Sequence, residues 1–269
     1  MLFRSVFIDK YLHYKSKKIS QRGGENNMSC YKEFAHIYDK LINGDINYYN
    51  WAKIIVDICK EYNISNEDYL DLACGTGNMT QELAKYFKHI WAVDMSQEML
   101  TEAEEKMRKE KIKAKLVCQD ISKLKLNKKF DLITCALDST NYILDVEDLK
   151  NYFSSVKEHL KDDGLFIFDI NSYYKLTNIL GNNIYNYDDD DVVYVWENLL
   201  EDDIVDMYIT FFIKSGDVYR RFDEEHRERA YKTEFIDSIL DEIGFKVEKK
   251  LDNYESDVLS DDTERIVYV

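Results

Sequence analysis

The chain has 269 residues, 45% of them hydrophobic, and a formal net charge of −16, so it can form a substantial core and disfavours polyanionic partners such as nucleic acid. Five scattered cysteines without a C-x-x-C pair, and the lack of an apolar run of roughly 18 residues, exclude a zinc-finger site, a disulfide framework and a membrane-spanning helix. We therefore expect a cytoplasmic protein with no metal site.

The first 27 residues differ in composition from the rest, with six basic and two acidic side chains in an otherwise acidic chain. The segment from Arg22 to Met28 reads like a purine-rich ribosome-binding site translated in frame, which would make Met28 the natural start. A short basic arm, disordered or helical, is the alternative. Residues 1–27 are thus predicted to be an N-terminal extension that is disordered or foreign to the natural protein.

Strands and helices are predicted to alternate from residue 28 to residue 170. Apolar residues at helical spacing indicate two helices, over residues 31–42 and 51–62, before the first strand. The elements that follow are strands at 69–72, 90–93, 114–118, 130–136 and 165–168 and helices at 78–87, 97–109 and 149–160. Such alternation predicts an α/β fold with a parallel sheet covered by helices on both faces.

The pattern changes after Asn171. Residues 205–213 alternate at the two-residue period of a half-buried strand, and Ser215-Gly216-Asp217 is typical of a hairpin turn. With neighbours predicted at 192–196 and 218–231, residues 171–231 form a β-rich insertion. Residues 232–269 return to the core with a helix ended by Gly244 and strands at 245–251 and 265–269.

A glycine-rich turn follows the first predicted strand, in which Asp71 is followed by Gly75-Thr76-Gly77. Glycines suit a position where a ligand lies against the backbone, because a Cβ atom would collide with it. A dinucleotide fingerprint requires a third glycine where Thr80 stands, and Asp71 would repel a pyrophosphate. The turn therefore favours a ligand that carries an ammonium group over a nicotinamide dinucleotide.

Two further acids end the next two strands. Asp94 lies 23 positions after Asp71, at the end of the second strand, where a carboxylate can accept hydrogen bonds from both hydroxyls of a ribose. Asp120 follows the third strand, where it could bind an adenine amino group while Ile121 flanks the ring. Three acids are thus expected at the carboxyl edge of the sheet, where open parallel sheets bind ligands.

Four motifs in this order resemble those of class I S-adenosylmethionine-dependent methyltransferases. They are D-L-A-C-G-T-G-N at 71–78, A-V-D-M-S-Q-E-M-L at 92–100, C-Q-D-I at 118–121 and F-D-L-I-T-C-A-L-D-S-T-N-Y at 130–142. The resemblance covers residues 31 to about 170. It implies S-adenosylmethionine as cofactor and a Rossmann-like fold, with a mostly parallel seven-stranded sheet whose last strand is antiparallel.

The resemblance also implies which residues bind the cofactor. Gly75 and Gly77 are expected to approach the methionine moiety, and Met95 to pack on the adenine ring. Tyr38, in F-A-H-I-Y-D, resembles a tyrosine of the N-terminal helix that closes over the cofactor in this family. The full predicted set is Tyr38, Asp71, Ala73, Gly75, Gly77, Asp94, Met95, Asp120, Ile121 and Leu137.

Methyl transfer from a sulfonium mainly requires alignment of donor and acceptor, and a base only where the acceptor must lose a proton. Asp138 and Tyr142 follow the fourth strand, and His226 lies in the insertion. These three residues are the predicted catalytic residues. The alternatives are a surface histidine at 226 and a tyrosine that only packs in the core at 142.

The insertion, with its F-x-x-x-H-x-x-x-x-Y pattern at 222–231, resembles the lid of small-molecule N-methyltransferases, including those that act on amino sugars. The segment after the fourth strand departs from the S-x-G-H of those enzymes, because it reads Ser139-Thr140-Asn141-Tyr142. A chain without proline also lacks the Pro-containing motifs of base-modifying and RNA cytosine methyltransferases. We therefore expect an enzyme that methylates a small molecule, with an amine as the leading expectation for the acceptor. The alternative is a non-catalytic module that binds the cofactor.

Overall fold

The computed structural model describes residues 46–269. The predicted N-terminal extension, the helix predicted over residues 31–42 and Tyr38 lie outside the described residues. The helices are α1 (Tyr48–Glu61), α2 (Asn78–Leu83), α3 (Gln97–Lys109), α4 (Val146–His159) and α5 (Thr233–Ile243). The strands are β1 (Asp68–Leu72), β2 (His89–Asp94), β3 (Ala114–Cys118), β4 (Phe130–Cys135), β5 (Leu160–Asn171), β6 (Ile184–Asp188), β7 (Val192–Glu201), β8 (Ile204–Ser215), β9 (Val218–Arg229), β10 (Lys250–Asp252) and β11 (Arg265–Tyr268).

Seven strands form the core sheet in the order β10-β11-β5-β4-β1-β2-β3. Strands β1 to β5 pair in parallel, whereas β11 is antiparallel to both β5 and β10. The prediction of a mostly parallel sheet with an antiparallel last strand is thus confirmed. The order places the carboxyl ends of β1, β2 and β4 side by side, so the segments that follow them share one edge of the sheet.

Apolar layers cover both faces of this sheet. All five residues of β1 are buried, as expected of a central parallel strand enclosed by helices. Leu70 and Leu72 point to the layer formed with α4 and α5, whereas Tyr69 points to the layer formed with α1 and α2. Within residues 46–269, no helix is long and apolar enough to cross a membrane.

A second, antiparallel sheet of four strands has the order β6-β7-β8-β9. Gly216 turns β8 into β9 with a φ of +65°, at the predicted hairpin. The strand β6 and a short π-helix at Lys175–Leu180 were not predicted, because neither has a clear apolar period. The strand predicted over 245–251 was wrong over most of its length, since only Lys250–Asp252 pairs with β11.

Hydrogen bonds attach the end of β9 to the turn that follows β4. The side-chain amide of Asn141 donates to the carbonyl oxygens of Arg229 at 2.9 Å and of Asn171 at 3.2 Å. The guanidinium of Arg229 donates to the carbonyl oxygen of Leu144 at 2.6 Å. The second sheet is therefore fixed at the carboxyl edge of the core sheet, beside the predicted site.

Candidate functional site

The turn after β1 has an unusual backbone. Ala73, Gly75 and Gly77 have positive φ angles of 50°, 54° and 80°. Two hydrogen bonds stabilise the turn, from the amide of Cys74 to the carbonyl of Val93 at 3.0 Å and from the amide of Gly77 to the carbonyl of Cys74 at 2.9 Å. The left-handed conformation costs a residue such as Ala73 about 1 kcal/mol, and such strain is concentrated at ligand sites.

The two glycines of the turn are required for different reasons. A Cβ atom on Gly75 would have no neighbour within 4 Å, so the space above this residue is open for a ligand. A Cβ atom on Gly77 would lie 2.9 Å from the terminal methyl of Met107 and 3.3 Å from the Cβ of Ala103. The Cβ position at Gly77 is thus filled by side chains of α3, and the approach of its backbone to the cofactor stays a prediction.

Asp94 connects this turn to the end of β2. One carboxylate oxygen accepts from the amide of Gly75 at 2.8 Å, and the other accepts from the amide of Ser96 at 2.8 Å. Each oxygen keeps a further lone pair for a hydrogen bond to a ligand hydroxyl. The two backbone amides thus hold the carboxylate in a fixed orientation beside the open space at Gly75, which fits its predicted role in ribose binding.

Asp71 is more enclosed than its predicted contact with an ammonium group would suggest. It is 1% exposed, and its carboxylate accepts from the hydroxyls of Thr80 at 2.5 Å and Thr134 at 2.9 Å. Burial raises the pKa of Asp71 to about 6, although these two hydroxyls favour the charged form. The carboxylate therefore fixes the start of α2 against β4, and its contact with the cofactor stays a prediction.

The residues predicted to surround the adenine lie at the ends of β2 and β3. Met95 is 75% exposed, which is unusual for a large apolar side chain and leaves it available to a ring. Asp120 caps the turn at Ile121–Lys123 and accepts from the amide of Ser122 at 2.9 Å and from its hydroxyl at 2.8 Å. Ile121 is partly buried and packs against the core.

The segment after β4 is held by a carboxylate that the sequence did not reveal. Leu137 and Asp138 have positive φ angles of 59° and 49°, and their amides donate to the two oxygens of Asp169 at 3.0 and 2.8 Å. Asp169, on β5, is fully buried and also accepts from the hydroxyl of Tyr254 at 2.9 Å and from Arg265. The strained turn is thus stabilised by a buried network.

The predicted catalytic residue Asp138 forms an ion pair. Its carboxylate accepts from the guanidinium of Arg265 at 2.7 Å, and Arg265 is 6% exposed. The guanidinium occupies one carboxylate oxygen and fixes the orientation of the side chain. The observed contact suits a positioning residue better than a proton acceptor, and a catalytic role for Asp138 stays a prediction.

His226 and Tyr142 meet across the joint between the two sheets. The hydroxyl of Tyr142 lies 3.4 Å from Nδ1 of His226, and the two rings are edge to face with centroids 5.9 Å apart. Burial lowers the pKa of His226, and the charge of Asp138 opposes this shift. A partly buried imidazole that is neutral at pH 7 can accept a proton. The structure thus brings together two of the three predicted catalytic residues, His226 and Tyr142.

The second sheet presents aromatic and acidic side chains on the face that includes His226. Phe222, Glu224, His226 and Glu228 alternate along β9 with more exposed residues, so they share one face. Across the strands, the rings of Tyr187, Tyr194, Phe211 and Phe222 contact each other in sequence at centroid distances of 5.3, 5.6 and 4.7 Å. Glu228 was not among the predicted site residues, although its position two residues after His226 on the same strand could have indicated that it shares the face of His226.

Comparisons with known proteins identify the family. Residues 70–164 match a family model described as a methyltransferase domain. A methyltransferase of Geobacillus sp. strain WCH70 is 32% identical over 243 residues, which cover 89% of this chain and 98% of the relative. The chain belongs to the methyltransferases. Within the described residues, no group of three or more His, Cys, Asp or Glu side chains could hold a metal ion.

Two further comparisons concern the cofactor and the acceptor. The crystal structure of an S-adenosylmethionine-dependent methyltransferase from Clostridium acetobutylicum is 58% identical, has a TM-score of 0.85 and covers 89% of this chain and 97% of that chain. The methyltransferase described here therefore uses S-adenosylmethionine. A dTDP-3-amino-3,4,6-trideoxy-α-D-glucopyranose N,N-dimethyltransferase of Streptomyces venezuelae is 28% identical over 138 residues, which cover 51% of this chain and 56% of that protein.

Proposed function

We propose that this methyltransferase transfers the methyl group of S-adenosylmethionine to a small-molecule amine in the cytoplasm. The cofactor would bind at the ends of β1 to β3, and the acceptor would enter between the turn after β4 and the face of the second sheet that carries His226. The observation that carries the proposal is the partly buried, neutral His226 in contact with Tyr142 at this joint.

The chemistry of an amine acceptor requires one proton to leave before nitrogen attacks the methyl group. An amine is protonated near pH 7, and only its neutral form has a lone pair for in-line displacement at the sulfonium. When Nδ1–H of His226 donates to the oxygen of Tyr142, Nε2 is left to accept this proton. The other predicted site residues would bind and orient: Asp94 the ribose, Asp120 and Ile121 the adenine, and the backbone of Gly75 the methionine moiety.

Two observations favour a small, cationic acceptor. The face of β9 that carries His226 also carries the carboxyl groups of Glu224 and Glu228, and the ring of Phe222 lies on the same face, a surface suited to an ammonium group. The partial similarity to an enzyme that dimethylates an amino sugar points the same way. The net charge of −16 disfavours nucleic acid as acceptor.

The four cysteines among residues 46–269 are free thiols, which agrees with the reducing environment of the proposed cytoplasmic location.

A turnover assay tests the proposal. Purified protein is incubated with S-adenosylmethionine and a panel of primary amines that includes dTDP-amino sugars, each paired with the analogue in which a hydroxyl replaces the amine. We expect methylated product, identified by mass spectrometry, from amines and not from their hydroxyl partners. Methylation of the hydroxyl compounds alone would contradict an amine acceptor.

Calorimetric titration with S-adenosylmethionine and with its demethylated product accompanies the turnover assay. Tight binding of both compounds without any methylated product would favour the alternative, a non-catalytic module that binds the cofactor as a sensor or partner.

A further inference from the structure

Glu228 is a buried carboxyl group at the joint of the two sheets. It is 3% exposed, and one oxygen accepts from the side-chain amide of Asn171 at 2.8 Å. The backbone amide of Asn171 in turn donates to the side-chain oxygen of Asn141 at 3.0 Å. This chain of hydrogen bonds fixes Glu228 at the carboxyl end of β5, next to the turn that carries Asp138 and Tyr142.

The other oxygen of Glu228 accepts no hydrogen bond from residues 46–269. This oxygen can therefore accept a hydrogen bond from a ligand at the joint. His226, two positions earlier on β9, points to the same side of the sheet. Glu228 and the imidazole of His226 thus lie on the same face of the second sheet.

The charged groups around Glu228 do not neutralise it. Arg265, on β11, is bonded to Asp138 and Asp169, and Asp138 itself repels a second negative charge. Lys175, on the π-helix, adds a favourable long-range charge, but no ion pair joins it to Glu228 among the described residues. Burial and the charge of Asp138 raise the pKa of Glu228 to about 8.

A buried carboxyl group without a cation is costly, and such groups are concentrated at functional sites. A purely structural role would be served by a neutral side chain, because the hydrogen bond from Asn171 needs only an oxygen acceptor. An ammonium group at the joint would supply the missing positive charge and donate an N–H bond to the oxygen that Asn171 does not occupy.

We propose that Glu228 recognises the acceptor, by binding the ammonium group that the enzyme methylates or one beside it. The inference rests on the proposed function and deepens it, because it names a cationic amine as the substrate class. When the amine binds, the protonated carboxyl group of Glu228 releases its proton to solvent, and the resulting carboxylate pairs with the incoming ammonium group.

Two variants test the inference. Glu228→Gln keeps an oxygen acceptor for Asn171 but removes the charge, whereas Glu201→Gln changes an exposed glutamate at the end of β7, away from the joint. Circular dichroism and thermal unfolding check that both variants fold. With the most active amine of the panel, Glu228→Gln should raise KM roughly tenfold to a hundredfold, while Glu201→Gln leaves KM unchanged. Neither variant should change the affinity for S-adenosylmethionine.

A second measurement distinguishes recognition from a structural role. Calorimetric titration of the amine into protein saturated with demethylated cofactor, repeated in buffers with different ionisation enthalpies, counts the protons released on binding. Near pH 7 we expect about one proton per amine bound for the wild type and none for Glu228→Gln. An unchanged KM and the same proton release in Glu228→Gln would overturn the inference while amine methylation itself still holds.

Failure of the proposed function gives different results. Wild-type protein that methylates only hydroxyl compounds overturns both proposals. If no compound is methylated, the same titrations with the amines test the role of Glu228. Amine binding with proton release that is lost in Glu228→Gln supports recognition of an ammonium group. Amine binding that is absent, or that the substitution does not affect, overturns this recognition.

Discussion

Asp169→Asn should destabilise the protein strongly, because Asp169 accepts four hydrogen bonds at a fully buried position. Its donors are the amides of Leu137 and Asp138, the hydroxyl of Tyr254 and the guanidinium of Arg265. An asparagine side chain offers one oxygen and directs an NH2 group at some of these donors. It also removes one of the two carboxylates that neutralise Arg265.

Removal of one partner from a buried ion pair costs about 3–5 kcal/mol, because the other charge is left in a medium of low polarity. The remaining ion pair with Asp138 places the expected loss toward the lower end of this range. For a domain of this size a loss of about 3 kcal/mol corresponds to a fall in melting temperature of about 6–12 °C. Affinity for S-adenosylmethionine should fall as well, since the predicted contact Leu137 lies on the turn that Asp169 holds.

Thermal unfolding followed by circular dichroism measures the loss, and Asp162→Asn is the matched control. Asp162 lies on the same strand but is fully exposed, 3.9 Å from Lys129, so its replacement should leave the melting temperature unchanged. A loss below about 1 kcal/mol for Asp169→Asn would refute the view that this network stabilises the strained turn.

Four further substitutions test the site. Asp94→Ala should weaken binding of S-adenosylmethionine by about 1.5–3 kcal/mol in calorimetric titration, and unchanged affinity would remove ribose recognition from this residue. Gly77→Ala should lower stability by about 1–3 kcal/mol in denaturant unfolding, because its Cβ would overlap Met107 at a positive φ; wild-type stability would contradict this. His226→Gln should lower turnover with little change in cofactor affinity, and full activity would assign the residue a structural role. Wild-type protein should have a larger unfolding free energy than Asp71→Asn at about pH 4, and this difference should shrink as the pH rises to about 6. Burial raises the pKa of Asp71 in the folded state, so ionisation over this range favours the unfolded state. A difference that does not depend on pH would contradict this reasoning.

Local sequence was sufficient for the elements that carry their own signals. Helix α3 begins and ends where it was predicted, because Ser96 caps it and its apolar residues keep a regular helical period. Strand β6 was not predictable in this way, since four of its five residues are exposed and it exists through pairing with β7. The prediction fails in the opposite sense over residues 245–249. Their apolar side chains pack against the core, but only Glu248 and Lys249 hydrogen-bond to the neighbouring segment, at Val269 after the end of β11.

The edge of the sheet that carries the predicted cofactor residues was more predictable than the joint of the two sheets, for a topological reason. Its residues follow consecutive parallel strands, so their positions at one edge follow from the strand order. Asp169 and Arg265 meet across 96 positions of sequence, and Glu228 reaches Asn171 across 57. Such contacts depend on how β11 and the second sheet dock, which no local pattern specifies.

The carboxyl groups of the two sides also have different partners. On the predicted cofactor side, the carboxylates of Asp94 and Asp120 accept hydrogen bonds from backbone amides. On the acceptor side, Asp138 has Arg265, whereas Glu228 has only an amide from Asn171. The carboxyl group without a cation thus lies on the side where the acceptor is proposed to bind. The proposed ammonium group would supply the positive charge that an ionised Glu228 lacks, whereas a neutral acceptor would leave this carboxyl group protonated near pH 7.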